Sequence, residues 1–401
     1  MIQFPLHMNE ITPEIIENVC LEKGANSGLT KVTLPDRTLE IFGGIPGETA
    51  DIRLFTHKAG RGYAQVIKVH NPSAERVTPA CPYFGDCTGC TFQHISYPHQ
   101  LKLKHQIILA EFEKAGLDGT YISEVIPSAA EYGYRNHARF SIYHAKLGFV
   151  NRFSRRHIQV DHCRIMNSGI NKVLAELQDK CGETRQLSIR HASNKDSYLI
   201  QPKLTKADIS IESGQKEYHD LLLGHDFCIS AASFFQVNNP QAEKMAGLIK
   251  KHLNLSGGET LVDAYAGVGT FAVLLSPDCK RVIAIEESAA AIKDARLNIA
   301  GIDNIELIQS KTEDVISQFQ GQMDALILDP SRSGAHPSVL ASICQNPPRN
   351  LVYVACDPSS LARDLKILLG GPFELSQVIP VDMFPQTYHV ETVVLMSRKD
   401  K

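Results

Sequence analysis

The sequence predicts an α/β protein in three parts: a small N-terminal β-barrel, a central α+β domain that carries a metal cluster, and a C-terminal Rossmann-like domain. Three observations lead there. From residue 229 onward, apolar runs of buried-sheet type (LVDAYAG, RVIAIEE, IELIQS, ALILDPS, LVYVACD) alternate with helical stretches, the rhythm of βαβ units in a parallel sheet. Over residues 1–72, short alternating runs are broken by turn residues, the pattern of a small all-β module. Between these regions, a cysteine-rich loop leads into strand-like text.

In the first part, KVTLPDRTLEIFGGIPGETADIRLF is punctuated by Pro-Asp, Gly-Gly and Pro-Gly-Glu, and AGRGYAQVIKVHNPS adds one more strand and a turn. The second part, 73–228, opens with CPYFGDCTGCTFQHISYPHQ. The following stretch puts Leu101, Ile108, Leu109 and Phe112 at helical spacing and stops at Gly116. This helix, near 97–116, is expected to pack on the C-terminal domain. From Ile122 to Phe227, YRNHARFSIYHAKLGFV, RQLSIRHA and DSYLIQP alternate as antiparallel strands. In the third part, 229–401, FAVLLS and AAAIKDARLNIAG supply crossover helices.

A chain of 401 residues, 43% hydrophobic and 21% charged, has the composition of an ordinary globular protein. No apolar run approaches the roughly 18 residues of a membrane span. The start MIQFPLHMNEITPE lacks a basic stretch followed by an apolar one. A cytoplasmic monomer with no membrane partner is expected. Ten cysteines without an export signal argue against a disulfide scaffold. Cys20, Cys181, Cys228, Cys279 and Cys344 read as small buried apolar residues. A net charge of −3 argues mildly against a nucleic-acid partner. Locally, Arg135, Arg139, Lys146, Arg152, Arg155, Arg156 and Arg164 are opposed within their segment only by Glu131 and Asp161, and Tyr132, Tyr134, Phe149 and Phe153 interleave with them. The segment is either a solvated face or an RNA-binding surface, with Arg135, Arg139, Arg152, Arg155 and Arg156 as its contacts.

Three strings carry chemistry. DAYAGVGTF follows a strand and opens a helix, and Gly267 and Gly269 let backbone approach a ligand at the helix N-terminus. Glu286, at the end of the next strand, suits ribose hydroxyls, although Glu287 beside it has the same chemistry. The missing third glycine favours S-adenosylmethionine over NAD. In YVACDP, Cys356 follows a strand. Downstream, DMFPQTYHVETVVL contains Glu391. Covalent attack by the cysteine followed by proton removal by the carboxylate fits this pair. In the loop, Cys81, Cys87 and Cys90 are spaced C-x5-C-x2-C, and Cys163 lies far downstream. Such thiolates hold either a [4Fe–4S] cluster or tetrahedral zinc.

Taken together, the strings resemble the RNA 5-methyluridine (uracil-C5) methyltransferases, specifically the iron–sulfur, TRAM-domain members that act on 23S rRNA. The resemblance implies a TRAM barrel over 1–72 and Cys356 as nucleophile with Glu391 as base. It implies a cofactor site of Gln236 (in SFFQVN), Tyr265, Gly267, Gly269, Glu286 and Asp329 (in LILDPSRSG). It further implies an iron–sulfur centre on Cys81, Cys87, Cys90 and Cys163, with zinc as the alternative, and a flipped target base. The RNA partner is expected to be rRNA rather than the tRNA T-loop; a non-catalytic RNA-binding homologue is the rival reading. Two departures stand out. Ser331 replaces a proline of the family's DPPR-x-G, which questions the loop's rigidity. ACDP replaces SCNP, so Asp357 puts a negative charge beside Cys356 unless it turns away or a cation such as Arg363 offsets it. His389 is either structural or tunes Glu391.

Overall fold

A computed structural model of the chain describes residues 14–24, 27–58, 61–206 and 208–399. They form two compact units. One comprises the described residues up to His99 together with Phe149–Ile158 and Gln386–Tyr388; the other comprises Gln100–Gly148, Gln159–Pro385 and the described residues from His389 onward.

The first unit is built on β1 (Ile15–Cys20), β2 (Thr30–Thr33), β3 (Thr38–Phe42), β4 (Thr49–Lys58) and β5 (Arg61–Asn71). They form one sheet in the order β1-β4-β5-β3-β2, antiparallel throughout except for β3 beside β5. Register shifts along β4–β5 and between Ile16 and Val19 on β1 bend and twist the strands. One face closes on Leu21, Leu39, Ile41 and Ile52. The Pro-Asp step is a tight turn, with Leu34 and Arg37 exchanging backbone hydrogen bonds. Fully buried Glu48 accepts two 2.6 Å bonds from Arg76, fixing the chain after β5 onto the sheet. Cys20 corrects the expectation of a buried residue. It is exposed, because the outward-facing positions of β1 meet solvent.

The second unit begins with α1 (Tyr97–Ala115), which ends where Gly116 adopts φ +73°, as the sequence predicts. Its Ile108 and Phe112 join a core with Leu326, Tyr353 and Leu361. The buried face is more polar than expected: Leu101 is half-buried, whereas Gln100 and Lys104 are buried. Then come β6 (His137–Tyr143), β7 (Lys146–Val150) and β8 (His157–Gln159), the last two sharing residues with the Phe149–Ile158 segment counted with the first unit, and α2 (Ser168–Leu177), β9 (Gln186–His191) and β10 (Tyr198–Gln201). These strands make a second five-stranded sheet, β10-β9-β6-β7-β8, and α2 buries Ile170, Val173, Leu174 and Leu177. A hairpin of β11 (Glu217–Leu222) and β12 (His225–Ser230) follows.

The rest is the Rossmann-like sheet: α3 (Asn239–Leu253), β13 (Thr260–Ala264), α4 (Thr270–Leu275), β14 (Arg281–Glu286), α5 (Ala289–Asn298), β15 (Ile305–Gln309), α6 (Thr312–Val315), β16 (Ala325–Leu328), α7 (Pro337–Gln345), β17 (Asn350–Ala355), α8 (Pro358–Gly370), β18 (Phe373–Val381) and β19 (Glu391–Arg398). The strand order is β15-β14-β13-β16-β17-β19-β18. β13 to β17 are parallel, and β19 runs against both its neighbours. Helices cover both faces, so the central strands are continuously apolar, as in the all-buried AlaLeuIleLeu of β16. No helix among the described residues is long and apolar enough to cross a membrane.

Candidate active site

The carboxyl ends of parallel strands are where such sheets bind ligands, and the sequence-marked residues gather there. Asp263 lies near the end of β13, Asp329 just past β16, and Cys356 just past β17. Glu391 opens β19. Because β19 is antiparallel, the pairing of Ala355 with Thr392 sets Glu391 across from Cys356. A reversed strand is thus what unites two residues far apart in sequence.

Burial dominates the electrostatics. It raises the Glu391 carboxyl to about 8, with the Asp329 charge adding to the rise and Arg332 opposing it. Burial likewise raises Asp329 to about 7, although part of that residue remains exposed. Asp263 also rises to about 7, through burial first and then the charges of Asp329 and Glu286; the Ala272 amide works against the shift. The half-buried Cys356 thiol is pushed to about 11 by burial and then by Glu391, with Arg332 pulling it down and Asp329 up. The carboxyl groups of the site therefore keep their protons to near neutrality, well above the usual carboxylate range.

The two sequence departures have structural answers. Asp357 is the N-cap of α8, its carboxylate accepting the Ser360 amide at 2.9 Å. It caps the helix behind the thiol. Arg332, not Arg363, is the cation that acts on Cys356; Arg363 is engaged with Asp364 and the Ser333 carbonyl. The DPSRSG loop is pinned without the proline. Fully buried Asp364 accepts the Ala335 amide at 2.8 Å and the Tyr353 hydroxyl at 2.6 Å. Gly334 has φ +81°, and a Cβ there would lie 2.4 Å from the Arg363 guanidinium.

The cofactor string makes a strained turn. Tyr265, a non-glycine residue, takes φ +73°, and Gly267 and Gly269 take +57° and +85°. Glu286 holds the turn directly: one carboxylate oxygen accepts the Gly267 amide at 2.9 Å and the other accepts the Ser288 amide at 2.7 Å. A carboxylate has lone pairs left for further donors. Tyr265 packs on the apolar core, and burial raises its phenol while the His336 backbone and Thr312 hydrogen-bond it. Space in front of Gly267 is open. Asp263 Oδ1 is buried without a hydrogen bond.

Gln236 sits on a loop anchored from below. Asn136 donates to the Gln236 carbonyl and to Asn239 Oδ1, both at 3.0 Å. Buried Arg190 donates to the Ser233 carbonyl at 2.6 Å. These anchors escape sequence reasoning because nothing local marks them, and Asp263, although it opens the cofactor string, was not among the residues expected at the site. His389 packs edge-on against Phe384.

The other expected ligands are distributed over both units. Cys81, Cys87 and Cys90 share one loop of the first unit as half-buried cysteines. The Cys81 amide donates to Gln93 at 3.1 Å, the Cys87 amide to the Tyr83 carbonyl at 2.7 Å, and Asn151 to the Asp86 carbonyl at 2.8 Å. Cys163 belongs to the second unit, where Asn171 brackets its amide and carbonyl. Of the basic residues, Arg152, Arg155 and Arg156 are exposed in the first unit, with Arg152 4.7 Å above the Phe153 ring. In the second, Arg139 is exposed and Arg135 bonds the His137 carbonyl. Burial, aided by Arg190, Arg135 and Arg139, pushes His137 down to about 3.

Comparison with known proteins places the chain in a family. An uncharacterized RNA methyltransferase of Thermotoga maritima is 30% identical, covering 96% of this chain and all of that protein. Another, of Clostridium tetani, is also 30% identical over 89% of this chain and 92% of its own length. The chain belongs to the RNA methyltransferase family. Within it, residues 224–399 match the tRNA (uracil-5-)-methyltransferase model. The methyltransferase fold is also that of the Pyrococcus abyssi tRNA (uracil-54, C5)-methyltransferase crystallised with S-adenosyl-L-homocysteine, at a TM-score of 0.75 and 22% identity over 97% of this chain and all of the other.

Proposed function

We propose that this methyltransferase modifies C5 of a uridine in a structured RNA, with Cys356 as nucleophile and Glu391 as base. The carrying observation is the β17–β19 register, which brings a thiol and a carboxyl to adjacent strand ends beside Asp329 and Arg332. Uracil C5 is a poor nucleophile. Addition of the Cys356 sulfur to C6 delocalises the electron pair into the ring and makes C5 nucleophilic. Arg332 favours the thiolate. S-adenosylmethionine supplies the methyl group when bound. Gln236, Tyr265, Gly267, Gly269, Glu286 and Asp329 are its proposed contacts. The open space at Gly267 and the unsatisfied Asp263 oxygen fit such a ligand. After transfer, Glu391 in its carboxylate form takes the C5 proton, the C5–H electron pair forms the C5–C6 double bond, and the C6–S pair returns to sulfur.

Residues 1–72 are proposed as the TRAM-type RNA module, 73–228 as the cluster and RNA domain, and 229–401 as the catalytic domain. The three cysteines clustered in one loop suit a soft metal centre. Together with Cys163 they are the proposed ligands of a [4Fe–4S] cluster, with zinc as the alternative and a structural or RNA-positioning role. Arg135, Arg139, Arg152, Arg155 and Arg156 are the proposed RNA contacts. Large-subunit rRNA is the proposed substrate, on the cysteines and N-terminal sheet together. A tRNA T-loop uridine is the second reading, favoured by the matched family's description and the Pyrococcus enzyme. Mass-spectrometric mapping of 5-methyluridine in rRNA and tRNA from a strain lacking this gene tests both. Loss from 23S rRNA is expected; loss from tRNA alone moves the substrate to the second reading, and loss from neither removes the activity.

A further inference from the structure

The β11–β12 hairpin carries a side-chain cluster that methyl transfer does not use. Glu217 and His219 are two residues apart on β11 and so face the same way. Cys228 on β12 pairs directly with His219. One ligand-type atom from each of Glu217, His219 and Cys228 lies within 4.8 Å of the others. Their chemistry is mixed in a useful way: a carboxylate at the surface, a half-buried imidazole, and a thiol that is only 4% exposed. His219 Nδ1 is buried and makes no hydrogen bond, although Asp226 Oδ1 stands 3.4 Å away. The other oxygen of Asp226 is taken by Lys195 at 2.7 Å.

We propose that Glu217, His219 and Cys228 form a binding site for a zinc-class divalent ion, separate from the cysteine loop. Thiolate, imidazole and carboxylate are the donor set such ions take, with a fourth position left to water. Ligand atoms of a tetrahedral zinc lie about 3.3–3.6 Å apart, by its usual bond lengths. Closing from at most 4.8 Å thus requires side-chain movements of about an ångström or less. On binding, Cys228 gives its thiol proton to solvent and ligates as thiolate, while His219 ligates through a neutral ring nitrogen. Asp226 is placed to orient the imidazole from outside. The site also has a mechanical neighbour. Asn298 accepts the Cys228 amide at 2.7 Å and donates to the carbonyls of Cys228 and of Val268, between the two turn glycines. One side chain therefore joins the metal-site strand to the cofactor turn.

Anaerobic cobalt titration of the full chain tests this, comparing wild type with Cys228→Ser and His219→Ala. All three proteins keep Cys81, Cys87, Cys90 and Cys163, so those thiols contribute equally and cancel in the differences. Wild type is expected to bind one further cobalt with a thiolate charge-transfer band that both variants lack and that zinc removes. Zinc affinity at this site should fall by at least about tenfold in His219→Ala, the least that loss of even an outer partner costs. Equal stoichiometry and equal spectra in wild type and His219→Ala overturn the site. His219→Ala alone decides the matter if Cys228→Ser does not fold.

Discussion

Burial and the Glu391 charge raise the cost of ionising Cys356, and Arg332 is the cation that opposes them at both residues. Arg332→Gln should therefore lower kcat/KM by about two orders of magnitude, in line with loss of one electrostatic donor. Single-turnover methylation would measure it, and adduct formation should slow. Glu391, Asp329 and Asp263 ionise higher in the fold than the usual carboxyl near pH 4. The folded protein thus holds protons that the unfolded chain releases, and stability from these groups is lost as pH rises through their folded values of about 7 to 8. They interact, so they titrate as a set. His94 and His137, held down to about 4 and about 3 by burial, act with the opposite sign below about pH 6.5. Comparison with a variant removes that background. Glu391→Gln cannot ionise, so it should gain on wild type by a few kcal/mol, to order of magnitude, between about pH 5 and about pH 8. Urea denaturation at both ends of the range checks it. A constant difference would mean that Glu391 titrates normally.

Elements are fixed by pairings that local sequence does not display. Helix α1 was legible from its apolar spacing and its glycine stop, but its anchor was not. Lys104 is fully buried and donates to equally buried Asp382 at 2.5 Å and to the Phe384 carbonyl at 3.0 Å. A lysine in an amphipathic helix reads as a solvent-facing charge, and only the packing of α1 reveals its partner nearly three hundred residues later. Burial lowers the Lys104 pKa and Asp382 counteracts this. Lys104→Met removes the cation beside buried Asp382 and should cost about 3–5 kcal/mol. Lys104→Met with Asp382→Asn should recover part of that loss in chemical denaturation. The DPSRSG loop teaches the same lesson. The missing proline suggested looseness, whereas Asp364 and Tyr353, one on α8 and one on β17, hold the loop from outside it. Gly334→Ala should destabilise the protein, because the new methyl meets Arg363 and Asp364 at a positive φ.

At the scale of the whole molecule, βαβ rhythm and three strings identified the C-terminal sheet and most of its candidate site, because apolar strand runs and glycine turns are local signals. Antiparallel β19, the interleaving of 149–158 and 386–388 into the first unit, and the anchors Asn136 and Arg190 are long-range and left no local trace. Net charge hides a basic segment whose Arg152, Arg155 and Arg156 are exposed. Replacing all three with Ala should weaken RNA binding and flatten its salt dependence, by about 0.7–0.9 in log–log slope for each lost phosphate contact. Affinity for S-adenosylmethionine should not change. Protein purified without oxygen should be brown, with roughly four irons per chain if all four thiolates ligate; stoichiometric zinc without colour would assign the loop to zinc. The covalent role of Cys356 is tested most directly by incubating Glu391→Gln with unmodified RNA and S-adenosylmethionine, then digesting and sequencing the protein by mass spectrometry. A methylated uridine attached to the Cys356 peptide is expected, and its absence alongside full turnover by Cys356→Ala would contradict the account.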